Sequence, residues 1–265
     1  MNFVQAVVLG AVEGITEFLP ISSTAHLMIS AELLKLGQSD FVKSFEIAIQ
    51  FGGVAAVIFL YWKRVREAPS ILWKILAGFV PTAILGFFLY SFVKTNLLGN
   101  FNAVFWSLII GGVVLILIDW KDWKDWRDTQ RSELNEQSVN PEVQPTYLQA
   151  AAIGVIQTIA VIPGVSRSAA TIIGGRLLGL SKAAAVEFSF LLALPTIAAA
   201  AIYDISKNTA VLSENLGNMA VGFIVSFITA IFAIKWLVSF IKKHSFVWFG
   251  VYRIFVALLV LWLIL

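Results

Sequence analysis

Glu13-Gly14-Ile15-Thr16-Glu17-Phe18-Leu19-Pro20-Ile21-Ser22-Ser23-Thr24-Ala25-His26 puts two carboxylates, a proline, a run of three hydroxyls and an imidazole inside a chain that is otherwise largely apolar. Only ten mainly apolar residues, Phe3 to Val12, precede Glu13, whereas crossing a bilayer takes about 20. The stretch therefore reads as a helix that enters the membrane and stops, with bounds of 3–19, followed by a second helix at 23–36. Pro20 ends the first, and Ser22, Ser23 and Thr24 are residue types that cap the start of the second. A helix start at membrane depth offers free amide N–H groups beside hydroxyls, which suits an anion and above all a phosphate. Glu13 and Glu17, four apart on one helix face, repel unless a cation or a shared proton lies between them. His26, one turn beyond Ser23, is within reach of its hydroxyl.

Working outward, 59% hydrophobic and 13% charged residues, with a mean hydropathy of +0.86, define the class as an all-α polytopic membrane protein, read as one domain over 1–265. The N-terminal apolar stretch lacks a basic region and runs into Glu13, so no cleavable signal peptide is expected. The absence of cysteine excludes disulfides, thiolate metal sites and cysteine nucleophiles. The basic excess sits in short loops between apolar runs, as the positive-inside rule expects, so it calls for no nucleic-acid partner.

Beyond a polar break at 37–40, membrane spans are expected at 41–62, 71–93 and 103–118. The run Asp119-Trp120-Lys121-Asp122-Trp123-Lys124-Asp125-Trp126-Arg127-Asp128 repeats every three residues and reads as an interfacial loop. Polar residues through Pro145 complete a linker at about 121–146. A second broken helix, 147–162 with Gln157, ends at Pro163-Gly164-Val165-Ser166-Arg167-Ser168-Ala169-Ala170-Thr171, and spans follow at 183–203, 218–241 and 245–265. A shift of 144 residues brings Gln157 onto Glu13, Ser166 onto Ser22, Ala169 onto Ala25 and Val221-Gly222-Phe223 onto Ala77-Gly78-Phe79. Each half, about 1–120 and 147–265, then holds one re-entrant pair and three spans. An odd number of spans turns the second half over. The expected fold is an inverted-topology repeat of two re-entrant helix pairs plus six transmembrane helices, with the hairpin tips meeting near the midplane.

Charges at membrane depth need a partner or a function. Glu13, Glu17, Arg167 and Arg176 lie on the broken helices and Glu46, Glu187 and Arg253 within spans; pairing with arginines would account for Glu46 and Glu187. The candidate functional set is Glu13, Glu17, Ser22, Ser23, Thr24, His26, Ser166, Arg167, Ser168, Thr171 and Arg253. An arginine flanked by serines at a helix start combines a guanidinium fork, hydroxyls and amides, which best fits a phosphate.

Both long motifs, together with Glu187-Phe-Ser-Phe-Leu-Leu-Ala-Leu-Pro195 and Tyr252-Arg253, closely resemble the undecaprenyl-pyrophosphate phosphatases of the BacA/UppP family. The resemblance implies removal of the terminal phosphate of undecaprenyl pyrophosphate, recycling of the lipid carrier for peptidoglycan, bacitracin resistance on overproduction, the inverted-repeat fold and a divalent cation. It carries metal or acid/base duties to Glu13 and Glu17, a nucleophile role to Ser23 or His26, and phosphate binding to Ser166, Arg167 and Thr171. Glycine is usual in that family where Ala25 and Ala169 stand here, each adding one methyl. Pyrophosphate and two carboxylates leave the site short of positive charge, so the expected cofactor is Mg2+ or Ca2+. Ser22, Thr24, Ser168 and Arg253 complete the expected substrate contacts.

Several readings stay open. A transporter or lipid flippase would share the paired hairpins, but has little use for an adjacent hydroxyl, imidazole and carboxylates. A phosphatidic-acid-phosphatase type fails, because no histidine follows Arg167 before His244. The phosphoryl acceptor is Ser23, His26 or a metal-bound water, and a homodimer is compatible with the sequence. Four basic residues (Lys35, Lys43, Lys94, Lys207) fall on the face of the termini and twelve on the other: Lys63, Arg64, Arg66, Lys74, Lys121, Lys124, Arg127, Arg131, Lys182, Lys235, Lys242 and Lys243. That asymmetry predicts a first hairpin opening to the outer face of the membrane, which the resemblance implies is the periplasmic face of the bacterial inner membrane.

Overall fold

The computed structural model describes residues 1–37, 39–97, 100–129, 144–207 and 215–263. Ten α-helices occur among them: α1 (Phe3–Thr16), α2 (Ser23–Leu33), α3 (Asp40–Glu67), α4 (Ser70–Asn96), α5 (Phe101–Thr129), α6 (Tyr147–Gln157), α7 (Arg167–Leu177), α8 (Lys182–Lys207), α9 (Leu216–Ile241) and α10 (Val247–Leu263). A 3₁₀ turn, Thr158–Val161, continues α6. Five helices are long and apolar enough to cross a membrane, over Phe41–Glu67, Ser70–Leu89, Phe101–Trp120, Lys182–Asp204 and Leu216–Ile241. Of the sixth expected span, 17 residues form α10, about 26 Å of helix; Ile264 and Leu265 lie outside the described residues. Phe87, Phe88, Leu148 and Trp262 stand on the surface more than 70% exposed, which suits a lipid environment rather than water.

Both broken helices are present and both stop early. The first ends at Thr16, not at residue 19, and the chain then turns through Glu17–Ile21 before α2. The second helix ends at Leu33 rather than 36, and in the second half regular α-helix ends at Gln157 and tightens into the 3₁₀ turn. Pro20 and Pro163 each have no N–H to give and bias the residue before them away from helix, so the unwinding begins ahead of the proline. One expectation is corrected. The tryptophan-rich run 119–128 is helical, within α5, because it contains no glycine or proline and an existing helix propagates more easily than a new structure nucleates. The remainder of the expected linker, 130–143, lies outside the described residues.

The 144-residue repeat recurs in atomic detail. Asn2 and Gln5 form a capping box on α1, and Gln5 Nε2 donates to the Leu34 carbonyl at 3.3 Å. Thr146 and Gln149 form one on α6, and Gln149 Nε2 donates to the Leu178 carbonyl at 2.9 Å. Ser22 and Ser166 cap α2 and α7 with positive φ of 75° and 68°, an αL-side backbone that places each hydroxyl on the third amide of its helix. The broken helices also exchange partners between halves: α1 packs on α9 and α6 on α4. Contact at each crossing is glycine on glycine. A Cβ on Gly10 would fall 2.6 Å from the Gly222 carbonyl oxygen, and one on Gly154 within 1.9 Å of that of Gly78, so backbones this close exclude any side chain.

Candidate active site

The two hairpin tips meet. Arg167, first residue of α7, donates from Nη2 to Glu17 Oε1 at 2.9 Å and from Nη1 to the Ser189 carbonyl at 2.8 Å, with its guanidinium carbon 5.5 Å from the Phe18 ring centroid. The other Glu17 oxygen, Oε2, accepts the Ser23 hydroxyl at 2.5 Å. Glu17 therefore ties an arginine of the second hairpin to a serine at the start of α2. Side-chain exposure is 11% for Arg167 and 7% for Glu17, so this ion pair is shielded from water and its geometry is held firmly.

Neighbouring members of the expected set brace this pair. Ser168 donates to the Phe18 carbonyl at 2.7 Å, and the Thr171 hydroxyl lies 2.6 Å from that of Ser189. Ser22 and Ser166 serve as helix caps, and Thr24 sits half-buried in the first turn of α2. Arg253 is fully buried. Its guanidinium donates to the carbonyls of Pro20 (3.4 Å), Gly164 (2.9 Å), Val165 (3.2 Å), Ser107 (2.9 Å) and Leu108 (3.5 Å). It satisfies carbonyls freed where both helices break and clamps the two tips to α5. Ala25 and Ala169 are buried in the apolar core.

The structure changes one expected pairing. His26 does not meet the Ser23 hydroxyl, which is given to Glu17; its Nδ1 lies 2.7 Å from the Ser22 carbonyl and its Nε2 2.8 Å from the Tyr252 hydroxyl. Helical residues three apart share a face, but the short Ser23 side chain points to whichever acceptor packing provides. Glu187 pairs with Arg64 at 3.0 Å as expected, whereas Glu46 Oε1 is buried with no hydrogen-bond partner among the described residues. Sequence reasoning left out Ser189 and Tyr252 as site residues, although both fall inside quoted runs. It also placed Asp119 in a surface loop. Asp119 is buried and accepts from Ser245 Oγ (2.5 Å), the Phe246 amide (2.6 Å) and Lys182 (3.2 Å), joining α5, α8 and the turn before α10.

Two groups in the site have capacity in hand. Among the described residues the Nε of Arg167 has no hydrogen-bond partner, and neither oxygen of fully buried Glu13 meets an N–H or hydroxyl donor, the Glu17 carboxyl being its polar neighbour. Unpartnered buried carboxylate oxygens fit a hard cation. Among the described residues no group of three or more His, Cys, Asp or Glu side chains converges to hold one, so water and a substrate phosphate would have to complete the shell, the usual arrangement for magnesium.

Comparison with known proteins identifies the family. The family described as bacitracin resistance protein BacA matches residues 6–259. An undecaprenyl-diphosphatase of Aquifex aeolicus (strain VF5) is 48% identical over 96% of this chain and 95% of its own length. One from Sulfurihydrogenibium sp. (strain YO3AOP1) is 46% identical over 98% of each chain, and one from Campylobacter jejuni subsp. jejuni is 42% identical over 96% of this chain and 91% of its own. With the match running through both hairpins and the late Tyr252-Arg253, this chain belongs to the BacA family.

Proposed function

We propose that the protein is an integral-membrane lipid diphosphatase that hydrolyses undecaprenyl pyrophosphate to undecaprenyl phosphate and inorganic phosphate, a reaction that recycles the carrier for peptidoglycan and underlies bacitracin resistance. The observation that carries the reading is the buried Ser23–Glu17–Arg167 chain, with an Arg167 Nε–H that has no partner among the described residues and the fully buried Glu13 carboxyl beside it. Glu17 takes the Ser23 proton as Oγ attacks the terminal phosphorus, and the anhydride P–O bond breaks with undecaprenyl phosphate leaving. Arg167 holds the transferred group and offsets its charge. Water then attacks the phosphoserine; His26 Nε2 receives the water proton, the Ser23 Oγ–P bond breaks, and Glu17 returns its proton to Oγ. Ser166, Ser22 and Thr24 line the phosphate approach at the two helix starts, while Arg253, Ser168 and Thr171 hold the frame. A divalent cation at Glu13, with Glu17 one turn on, would neutralise the pyrophosphate and polarise its oxygens.

The direct test is phosphate release by purified protein given a polyprenyl pyrophosphate. Pyrophosphate brings about two to three negative charges to a site already holding Glu13 and Glu17. Metal-stripped protein should therefore lose nearly all turnover and regain it with Mg2+ or Ca2+. Full activity in excess chelator would remove the cation from the mechanism, and absence of phosphate release with metal present would remove the function.

The inverted orientation of the two halves and the outward opening of the first hairpin belong to the same proposal. Twelve basic residues against four support a cytoplasmic location for the face opposite the termini. Because the chain has no cysteine, single cysteines at Ser39, Asn100 and Ser132 can be probed on intact cells with a membrane-impermeant thiol reagent. Labelling is expected at Ser39 and Asn100 and not at Ser132; the reverse pattern would overturn the orientation.

A further inference from the structure

His26 is held from two sides by groups of different character. Its Nδ1 faces the Ser22 carbonyl, which can only accept, so Nδ1 carries the ring proton. In the neutral ring Nε2 then presents a lone pair, and the Tyr252 hydroxyl 2.8 Å away donates to it. The two ring planes are also nearly parallel, 4° apart, with centroids offset at 5.6 Å. This contact joins residues 226 positions apart in the chain, α2 to α10. The next residue on α10 is Arg253, whose hydrogen bonds to both hairpin tips fix the height of that helix turn against α2. Tyr252 is 40% exposed, so burial does not require its ring to be there, and its hydroxyl reaches inward to the imidazole.

We propose that Tyr252 is a positioning residue for the diphosphatase reaction: its ring and hydroxyl hold His26 in the tautomer with Nε2 unprotonated, ready to take the proton of the water that hydrolyses phosphoserine. This rests on the assignment of His26 to water activation made above. The Ser22 carbonyl sets the tautomer, and Tyr252 sets the plane of the ring and occupies the lone pair until water takes it. The water proton then passes to Nε2 as the new O–P bond forms and the Ser23 Oγ–P bond breaks.

The experiment separates hydroxyl from ring. Tyr252→Phe keeps the stacked ring, so the fold should hold, and should lower kcat about tenfold with KM for the lipid within about twofold, the scale seen when a partner orienting a functional imidazole is lost. Tyr252→Leu, which removes both, should lower kcat further. In a His244→Gln background His26 is the single histidine of the chain, and 15N NMR should find its Nε2 resonance in the unprotonated range, moving when Tyr252→Phe is added. An unchanged kcat or an unmoved Nε2 resonance in Tyr252→Phe overturns the proposal. His26→Ala distinguishes the two levels: if it is inactive while Tyr252→Phe matches wild type, only the role of Tyr252 falls. Full activity in His26→Ala removes the water-activating role of His26, and the Tyr252 proposal with it.

Discussion

Ser23→Ala is expected to lower kcat by about a thousandfold or more while changing lipid affinity little. The hydroxyl donates to Glu17 Oε2, which puts a carboxylate base in direct hydrogen-bond contact with the proton to be removed. Removing the hydroxyl deletes the attacking oxygen and the donor to buried Glu17 Oε2, a loss of about 1–3 kcal/mol. Glu17 keeps its Arg167 partner on Oε1, so the buried charge is not orphaned and the variant should still fold. Single-turnover assays with radiolabelled lipid would separate the outcomes. Wild-type binding without phosphate release supports Ser23 as acceptor, whereas residual hydrolysis above about a tenth of wild type would transfer the role to His26 or to water. Ser23→Thr, which restores a hydroxyl with one extra methyl in a buried position, should recover part of the lost rate.

Arg167→Ala should be equally inactive but for a compound reason, and should also be the least stable variant of the site. It removes the cation that offsets charge on the transferred phosphoryl group, worth about a hundred- to a thousandfold by comparison with lost oxyanion donors. It also leaves Glu17 buried without its partner, a loss of about 3–5 kcal/mol. Adding Glu17→Gln to Arg167→Ala should return much of the stability by neutralising the stranded carboxylate, yet return no activity, because the base is now gone too. Arg167→Lys should fold and still lose at least about a hundredfold. An ammonium cannot reach Glu17 and the Ser189 carbonyl together while keeping a third N–H for phosphate, as the guanidinium does. If the double variant is no more stable than Arg167→Ala, the ion pair is not what holds these tips together, and Arg253 and the Ser168–Phe18 hydrogen bond carry that task.

Much of this protein was legible without coordinates because the deciding features are local. Pro20 and Pro163, each followed by a hydroxyl that caps a new helix, mark a break, whereas Pro81 and Pro195, set in long apolar runs without such a cap, are carried inside α4 and α8. The repeat likewise survives in sequence because the same tasks, a capping box at the start and a glycine at the crossing, demand the same residue types 144 positions on. Only the tertiary structure decided who meets whom. Ser23 had Glu17 six residues before it and His26 three after it; spacing allowed either, and packing of the second hairpin against Glu17 gave the hydroxyl to the carboxylate. His26 was left for Tyr252, which no periodicity could pair with it across 226 residues. Arg253 read as a phosphate ligand because a buried arginine needs anions or acceptors, and the fold met that need with five backbone carbonyls from two broken helices and α5. Asp119, at the edge of a charged run, was drawn inside because donors from two other elements converge there. Residue type and spacing determine which face and which depth a side chain occupies; the partner found at that depth is set by helices brought together from the far half of the chain.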